Sequence, residues 1–301
     1  MDTTRRRTPI ILDTDLGDDI DDTWAIAMML KSPELDVKLI TTAVGQQVWR
    51  AKIVARLLEI AGRTDIPIGM GLSLPGKVGR QGPWVADYDL ACYPGKVHQD
   101  GVQALIDTIM TSPEPITLVC IGPLPNIGEA LRREPRIAQK ARFVGMHGSV
   151  RKGYGGSETI SPEYNVKIHT PDCQRVFAAD WSKTITPLDT CGLVVLRGDK
   201  YRAVRDCGDR LIRALIENYR IWANGNAWGI DPDQQSSTLF DTVAIYLAVS
   251  EDLVTIEELP IRVTDDGYTL IDKQAGRMVR CATGWKDLAA YEDFLVKRLI
   301  A

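Results

Sequence analysis

Residues 8–22 read TPIILDTDLGDDIDD, an apolar run that passes directly into six aspartates within ten residues. No lysine or arginine lies among Asp13, Asp15, Asp18, Asp19, Asp21 and Asp22. Carboxylates packed this densely repel one another, so any fold the chain adopts must bring them a counter-charge. Residues 8–12 suit a buried strand. The following DDTWAIAMMLKSP (21–33) suits a helix, with Trp24, Ala27, Met28 and Lys31 along one side and Pro33 as its stop. The aspartates therefore fall at the carboxyl end of a strand, where ligands bind in open α/β sheets, and run into a helix N-terminus, whose partial positive charge favours anions. That dipole offsets about 1 kcal/mol per nearby carboxylate and cannot neutralise six. A hard divalent cation can, because carboxylate oxygens suit calcium or magnesium. No Cys or His is interleaved to suggest zinc, and the D-x-D-x-D-G pattern of a calmodulin-type loop is absent. Helix capping and solvation explain one or two such aspartates, not six.

The rest of the chain repeats the strand–helix rhythm. Strands are expected over 36–45, 66–71, 115–122 and 141–148, with helices over 48–62, 101–113, 126–135, 170–180 and 209–226. Residues 184–196 read as extended. A helix over 238–249 carries Asp241 near its start, strands follow around 254–264 and 268–281, and a helix over 286–300 closes the chain. Such alternation predicts an α/β fold: an open, mostly parallel, doubly wound sheet flanked by helices. Two stretches, 73–101 and 149–165, are irregular and rich in Gly, Pro and aromatics, as lids and binding loops often are. No repeat or linker interrupts the chain, so residues 1–301 are expected to form one domain.

Composition narrows the function. With 301 residues, 25% charged and a net charge of -4, the chain offers no basic stripe for nucleic acid. Arg5–Arg7 precede only three apolar residues, so neither a signal peptide nor a membrane span is expected. Six cysteines without a CxxC pair suggest a reducing cytoplasm rather than a disulfide scaffold.

Several segments together resemble one family. PIILDTDLGDDIDDTWAIA resembles the N-terminal signature of the inosine–uridine-preferring nucleoside hydrolases. LITTAVG, the ITLVCIGPLPNIGEALRREPRI segment (116–137), SPEYNVKIHTPDCQRVF (161–177) and LFDTVAIYL (239–247) are similar to later family segments, in the same order. The resemblance implies Ca²⁺-dependent hydrolysis of the N-glycosidic bond of a ribonucleoside or related N-riboside, by a homo-oligomer, a dimer or tetramer. It implies that Asp15, Asp22, the Ile121 carbonyl and Asp241 bind the metal, with Asp15 also the general base. Asp13 would orient the loop. Asp21, Gln46, Glu163 and Asn165 would bind the sugar, and Trp222 and Trp228 would stack on the base.

This sequence also departs from the family. Asp18 and Asp19 look inserted before Asp21 and Asp22, making Asp19 a rival ligand. Gln46 replaces an asparagine, and Phe240 stands where some members carry a histidine proposed to protonate the leaving base. Of His98, His147 and His169, His147 is the best placed to substitute, although a structural role suits it too. Asp87 and Asp89 are further candidates to touch the substrate. Asp241 could instead cap its helix, Glu163 and Asn165 could be ordinary loop residues, and Trp222 could belong to the core. Two rival functions follow from the same residues: a metal-dependent phosphohydrolase with Asp13 or Asp15 as nucleophile, and a catalytically weak riboside-binding homologue.

Overall fold

A computed structural model describes residues 7–224 and 229–301. Its strands are β1 (Thr8–Thr14), β2 (Leu35–Thr42), β3 (Ile68–Met70), β4 (Val97–His98), β5 (Ile116–Cys120), β6 (Ala141–Met146), β7 (Lys183–Thr186), β8 (Val254–Val263), β9 (Thr269–Ile271) and β10 (Arg277–Trp285). They form one open sheet in the order β4-β3-β2-β1-β5-β6-β7-β10-β8-β9. Pairing is parallel from β4 through β7 and on to β10, and antiparallel only where β8 joins β10 and β9. Helices flank the sheet, and each face carries its own apolar cluster. Ile10 and Leu12 of β1 belong to one cluster and Ile11 to the other, all fully buried. A strand covered on both faces has no polar side to display, which is why 8–12 shows no alternation.

The chain lays β2, β3 and β4 to one side of β1, then returns to lay β5, β6 and β7 on the other. The carboxyl ends of β1 and β5 thus flank the point where strand order reverses, the usual crevice of such sheets. The Ile121 N–H, just past β5, bonds the Asp13 carbonyl at 2.9 Å and fixes these two ends together. Helix α1 (Asp21–Leu30) leaves the aspartate loop, and α2 (Gln47–Ala61) packs beside it.

Two expectations need correction. Residues 184–196 are extended only to Thr186. Pro187 has no N–H to offer a strand ladder, and Leu188–Cys191 form a single helical turn whose Asp189 carboxylate accepts the Val150 and Arg151 N–H groups. The stretch 268–281 is two strands, divided by a turn in which Asp272 accepts the Gln274 and Ala275 N–H groups. Within 73–101 the chain forms short 3-10 turns at Gly82–Val85 and Leu90–Cys92 before the two-residue β4. No described helix is long and apolar enough to cross a membrane.

Candidate active site

The aspartate loop is shaped by a glycine and an arginine. Gly17 adopts φ +118°, and a Cβ there would lie 2.2 Å from the Trp49 ring. Only glycine lets the loop turn this close to α2. From the next position on α2, Arg50 reaches under the loop with its side chain 2% exposed. It donates to the carbonyls of Val44 (2.8 Å), Leu16 (2.5 Å) and Asp15, and pairs with the Asp18 carboxylate at 2.5 Å. Part of the counter-charge that the sequence demanded therefore comes from a helix outside the cluster. Gln81 donates to the Asp19 carbonyl and Trp222 to that of Asp18 (2.9 Å). Trp222 is 1% exposed, tilted against Tyr219, and belongs to the core rather than to the cavity.

One arginine is not enough. Asp21 and Asp22 occupy the first turn of α1, yet neither caps it: Ile20 holds the N-cap position, without a side-chain bond. Asp241 sits at the N-cap of the helix Thr242–Val249 and also makes no capping bond, so the capping alternative fails for it. The three carboxylates are buried and bring oxygens within 4.8 Å of one another, the one such acidic group among the described residues. Asp21 and Asp241 are bonded side chain to side chain, and Thr14 donates to Asp22. Burial, aggravated by the neighbouring carboxylates, pushes all three acids well above the ordinary carboxylate range. Asp15 stands in the same cavity and is pushed up to about 7, chiefly by burial and against the pull of Arg50. The sequence grouped Asp15 with Asp22 and Asp241, whereas the tight triad contains Asp21, which shares the first turn of α1 with Asp22. Asp15 lies across Gly122, where a Cβ would be 2.6 Å from its Oδ1.

The cavity has a volume of about 430 Å³. Facing the acids are Glu163 and Asn165. Glu163 caps the turn Tyr164–Lys167, accepting the N–H groups of Gly148 (2.9 Å), Asn165 (2.8 Å) and Val166 (3.3 Å). Burial nevertheless pushes its carboxyl up to about 7. Asn165 Nδ2 donates to the carbonyls of Ile121 (3.1 Å) and Met146 (3.0 Å). Tyr154, Tyr164 and Phe240 supply aromatic surface, and Arg80 a cation. Asp13 faces elsewhere: fully buried and outside the cavity lining, it accepts from Thr41 and from Asn126 Nδ2 (2.8 Å), which ties β1 to β2 and to the segment after β5.

Other expected residues are not brought here. Gln46 is exposed and donates to the Gly76 carbonyl at 3.2 Å. It caps α2 by position, so its amide turns to the neighbouring loop, outside the cavity lining. Trp228 lies outside the described residues. His147 is buried against Phe143 and Phe177, its Nε2 3.1 Å from the Gly122 carbonyl, and burial lowers it to about 3. It is a neutral core residue and not an acid for the leaving group. His98 is on the edge strand β4, His169 caps Thr170–Ala178 by position, and Asp87 and Asp89 are exposed; none lines the cavity. Sequence reasoning missed Arg50, Arg80, Gln81, Tyr154 and Tyr164. The two irregular stretches, 73–101 and 149–165, hold four of these five, which was their only signal.

The whole chain can be set against known proteins. The model of the inosine-uridine preferring nucleoside hydrolase family matches residues 10–292. The chain belongs to that family. It is 32% identical over 232 residues to the non-specific ribonucleoside hydrolase RihC of Klebsiella pneumoniae subsp. pneumoniae, covering 71% of this chain and 73% of that one. To the pyrimidine-specific ribonucleoside hydrolase RihA of Escherichia coli O1:K1 / APEC it is 28% identical over 280 residues, covering 87% and 86%. Among solved structures, a plant nucleoside hydrolase, PpNRh1, superposes with a TM-score of 0.83 at 23% identity, covering 98% of this chain and 99% of that one. The inosine-uridine preferring nucleoside hydrolase of Bacillus anthracis gives 0.78 at 18% identity, covering 97% and 99%. These two share the fold.

As a nucleoside hydrolase, the protein is an enzyme of N-glycosyl bonds, and the rival readings of phosphohydrolase and non-catalytic binder give way. Its acidic triad fits a metal ion. The donors are all oxygens, they are withdrawn from water, and two of them are held together by a shared hydrogen bond that a cation would replace.

Proposed function

We propose that this nucleoside hydrolase cleaves a ribonucleoside, or a related N-riboside, to ribose and free base in a Ca²⁺-dependent reaction. The observation that carries this reading is the triad Asp21, Asp22 and Asp241 facing Glu163 and Asn165 across one cavity. Asp22 and Asp241 would hold the ion, with Asp15 and the Ile121 carbonyl as further donors. Asp21 would offer one oxygen to the ion and the other to a ribose hydroxyl. When bound, calcium supplies Lewis-acid polarisation of a water and of the sugar's hydroxyls. Asp15 takes the water's proton as general base. Glu163 and Asn165, fixed by backbone bonds, orient the remaining hydroxyls, so little entropy is lost at the moment of reaction. The carboxylates stabilise the cationic character the sugar carbon acquires as the bond breaks. Gln46 and Trp228 have no support as sugar and base contacts beyond the family resemblance.

The test is a panel of nucleosides assayed for free ribose, with calcium, with magnesium and with chelator. Asp15→Asn should lower kcat by about 10²-fold or more if Asp15 is the base. An unchanged rate would remove it from that role, and turnover indifferent to chelation would remove the ion. The named relatives differ in the bases they accept, one non-specific and one pyrimidine-specific, so the panel should span both base classes.

The same proposal covers the chain as one domain, active in the cytoplasm as a homo-oligomer. Six free cysteines, four of them buried, support a reducing compartment. The oligomer rests on family membership alone, and sizing in solution tests it.

A further inference from the structure

When an N-glycosidic bond breaks, its electron pair passes to the departing heterocycle. Something in the cavity must stabilise that developing negative charge, and the acids on its sugar side cannot. None of the three histidines lines the cavity. The Asn165 amide is already committed to two carbonyls. Three side-chain donors line the space: Arg80, Tyr154 and Tyr164. Arg80 is exposed, and its charge acts on Asp19. The Tyr164 hydroxyl has no partner among the described residues to hold it in place.

Tyr154 is held in three ways. Its oxygen accepts the Tyr164 backbone N–H at 2.9 Å. Its ring meets Phe240 edge-on, with centroids 6.2 Å apart and planes at 81°, and Phe240 directly precedes Asp241 of the triad. Its loop is closed by bonds from Gly153 N–H to the Ser157 carbonyl (2.8 Å) and from Gly156 N–H to the Gly153 carbonyl (3.1 Å). Because the oxygen accepts, its own hydrogen is left to give, and no described residue takes it. The incoming N–H polarises the phenol and strengthens its donation. Burial holds the phenol above its usual range, so it is protonated at neutral pH.

We propose that the Tyr154 hydroxyl is the hydrogen-bond donor to the departing base, taking the place a histidine would otherwise fill; this rests on the nucleoside-hydrolysis reading above. As the C–N bond breaks, its electron pair goes to the ring nitrogen, and Tyr154 shares its hydrogen with an acceptor on the ring. Water contributes hydroxide to the sugar carbon, and its remaining proton, taken up by Asp15, ends on the base. Tyr154 is unchanged at the end of the cycle.

The experiment compares wild type with Tyr154→Phe in calcium-containing buffer. The phenyl ring keeps the contact with Phe240, and the site is half exposed, so folding is not at stake. The substrates are inosine and uridine, which leave as poor anions, and p-nitrophenyl β-ribofuranoside, whose leaving group departs as a stable anion. The quantity read is the ratio of kcat on each nucleoside to kcat on the nitrophenyl riboside. Loss of one preorganised donor should lower that ratio by roughly 10-fold or more, through kcat rather than KM. A ratio that stays constant, whether both activities fall together or neither falls, overturns the inference. A wild-type enzyme that releases ribose from no nucleoside overturns instead the reading beneath it.

Discussion

Asp15 shows how much a single side chain here depends on what its neighbours lack. Its carboxylate lies against Gly122, whose missing side chain leaves it room: a Cβ there would sit 2.6 Å from Oδ1 and 2.9 Å from the Asp15 backbone N. Gly122→Ala should therefore displace Asp15, the proposed general base, while leaving the apolar core untouched. We expect kcat to fall by about 10-fold or more, since misplacement of about 1 Å can cost 10²-fold, with a melting temperature within a few degrees of wild type. Normal turnover in Gly122→Ala would show that Asp15 need not stand where it does. Asp15, Asp21 and Asp22 could be read from the sequence because acidic residues are so rarely crowded, and crowding alone demands an explanation; Asp241, which stands alone in its segment, came only from the family resemblance. Arg50 could not. On an amphipathic helix an arginine looks like a solvated one, and nothing local says that its head will turn inward to three carbonyls and the Asp18 carboxylate. Nor could Asp21 be preferred over Asp15 for the triad, because side-chain direction within a loop is set by the packing around it.

The aspartate loop and α2 behave as one unit, joined where Gly17 meets Trp49 and where Arg50 grips the carbonyls. Gly17→Ala adds a methyl 2.2 Å from the Trp49 ring at φ +118°. Overpacking and the strained backbone each cost about 1–3 kcal/mol, so the variant should melt well below wild type and lose activity. A second change, Trp49→Leu, should return part of the stability by opening space, but not all, since the backbone strain persists. Full recovery would mean that φ at this position costs nothing. Strands β1 and β5 were evident in the sequence because Ile10–Thr14 and all of β5 are buried, whereas the half-buried, two-residue β4 lay hidden in an irregular stretch; helices showed where they carried end signals. Gly62, for example, closes α2 in the left-handed conformation, its N–H on the Glu59 carbonyl. The apolar run at 184–196 misled because Val194 and Leu196 are buried without belonging to a strand. Their backbone pairs irregularly with Leu239 and Ser236, a long-range choice no local pattern encodes. In the loop 149–165 the family resemblance marked Glu163 and Asn165, and the remainder gave only its irregularity. That Tyr154 should reach the Tyr164 N–H depends on how the loop closes.

Folding this chain stores acidity. Burial pushes Asp13, Asp15 and Glu163 up to about 7, well above the ordinary carboxylate range, and the triad is raised as well. A carboxyl whose pKa is higher folded than unfolded holds its proton more tightly in the folded state. Its stabilising contribution is complete below the unfolded value and is lost as pH rises through about 7. Stripped of divalent ions, the protein should thus melt at steadily lower temperature from about pH 5 to about pH 8. A cation in the triad competes with the same protons, so its affinity should grow over that window. At a hundred times its dissociation constant, an ion that binds only the folded state adds about 2.7 kcal/mol. Calcium should accordingly raise the melting temperature little near pH 5 and by several degrees near pH 8, flattening the slope that chelation exposes. Scanning calorimetry across pH, with chelator and with calcium in turn, measures both curves. If the chelated curve is flat, the buried acids are not carrying the protons their environment calls for. If calcium shifts both ends equally, the ion binds somewhere other than among them. Magnesium, smaller and stricter about octahedral geometry, should give a weaker shift if the triad is shaped for the larger ion.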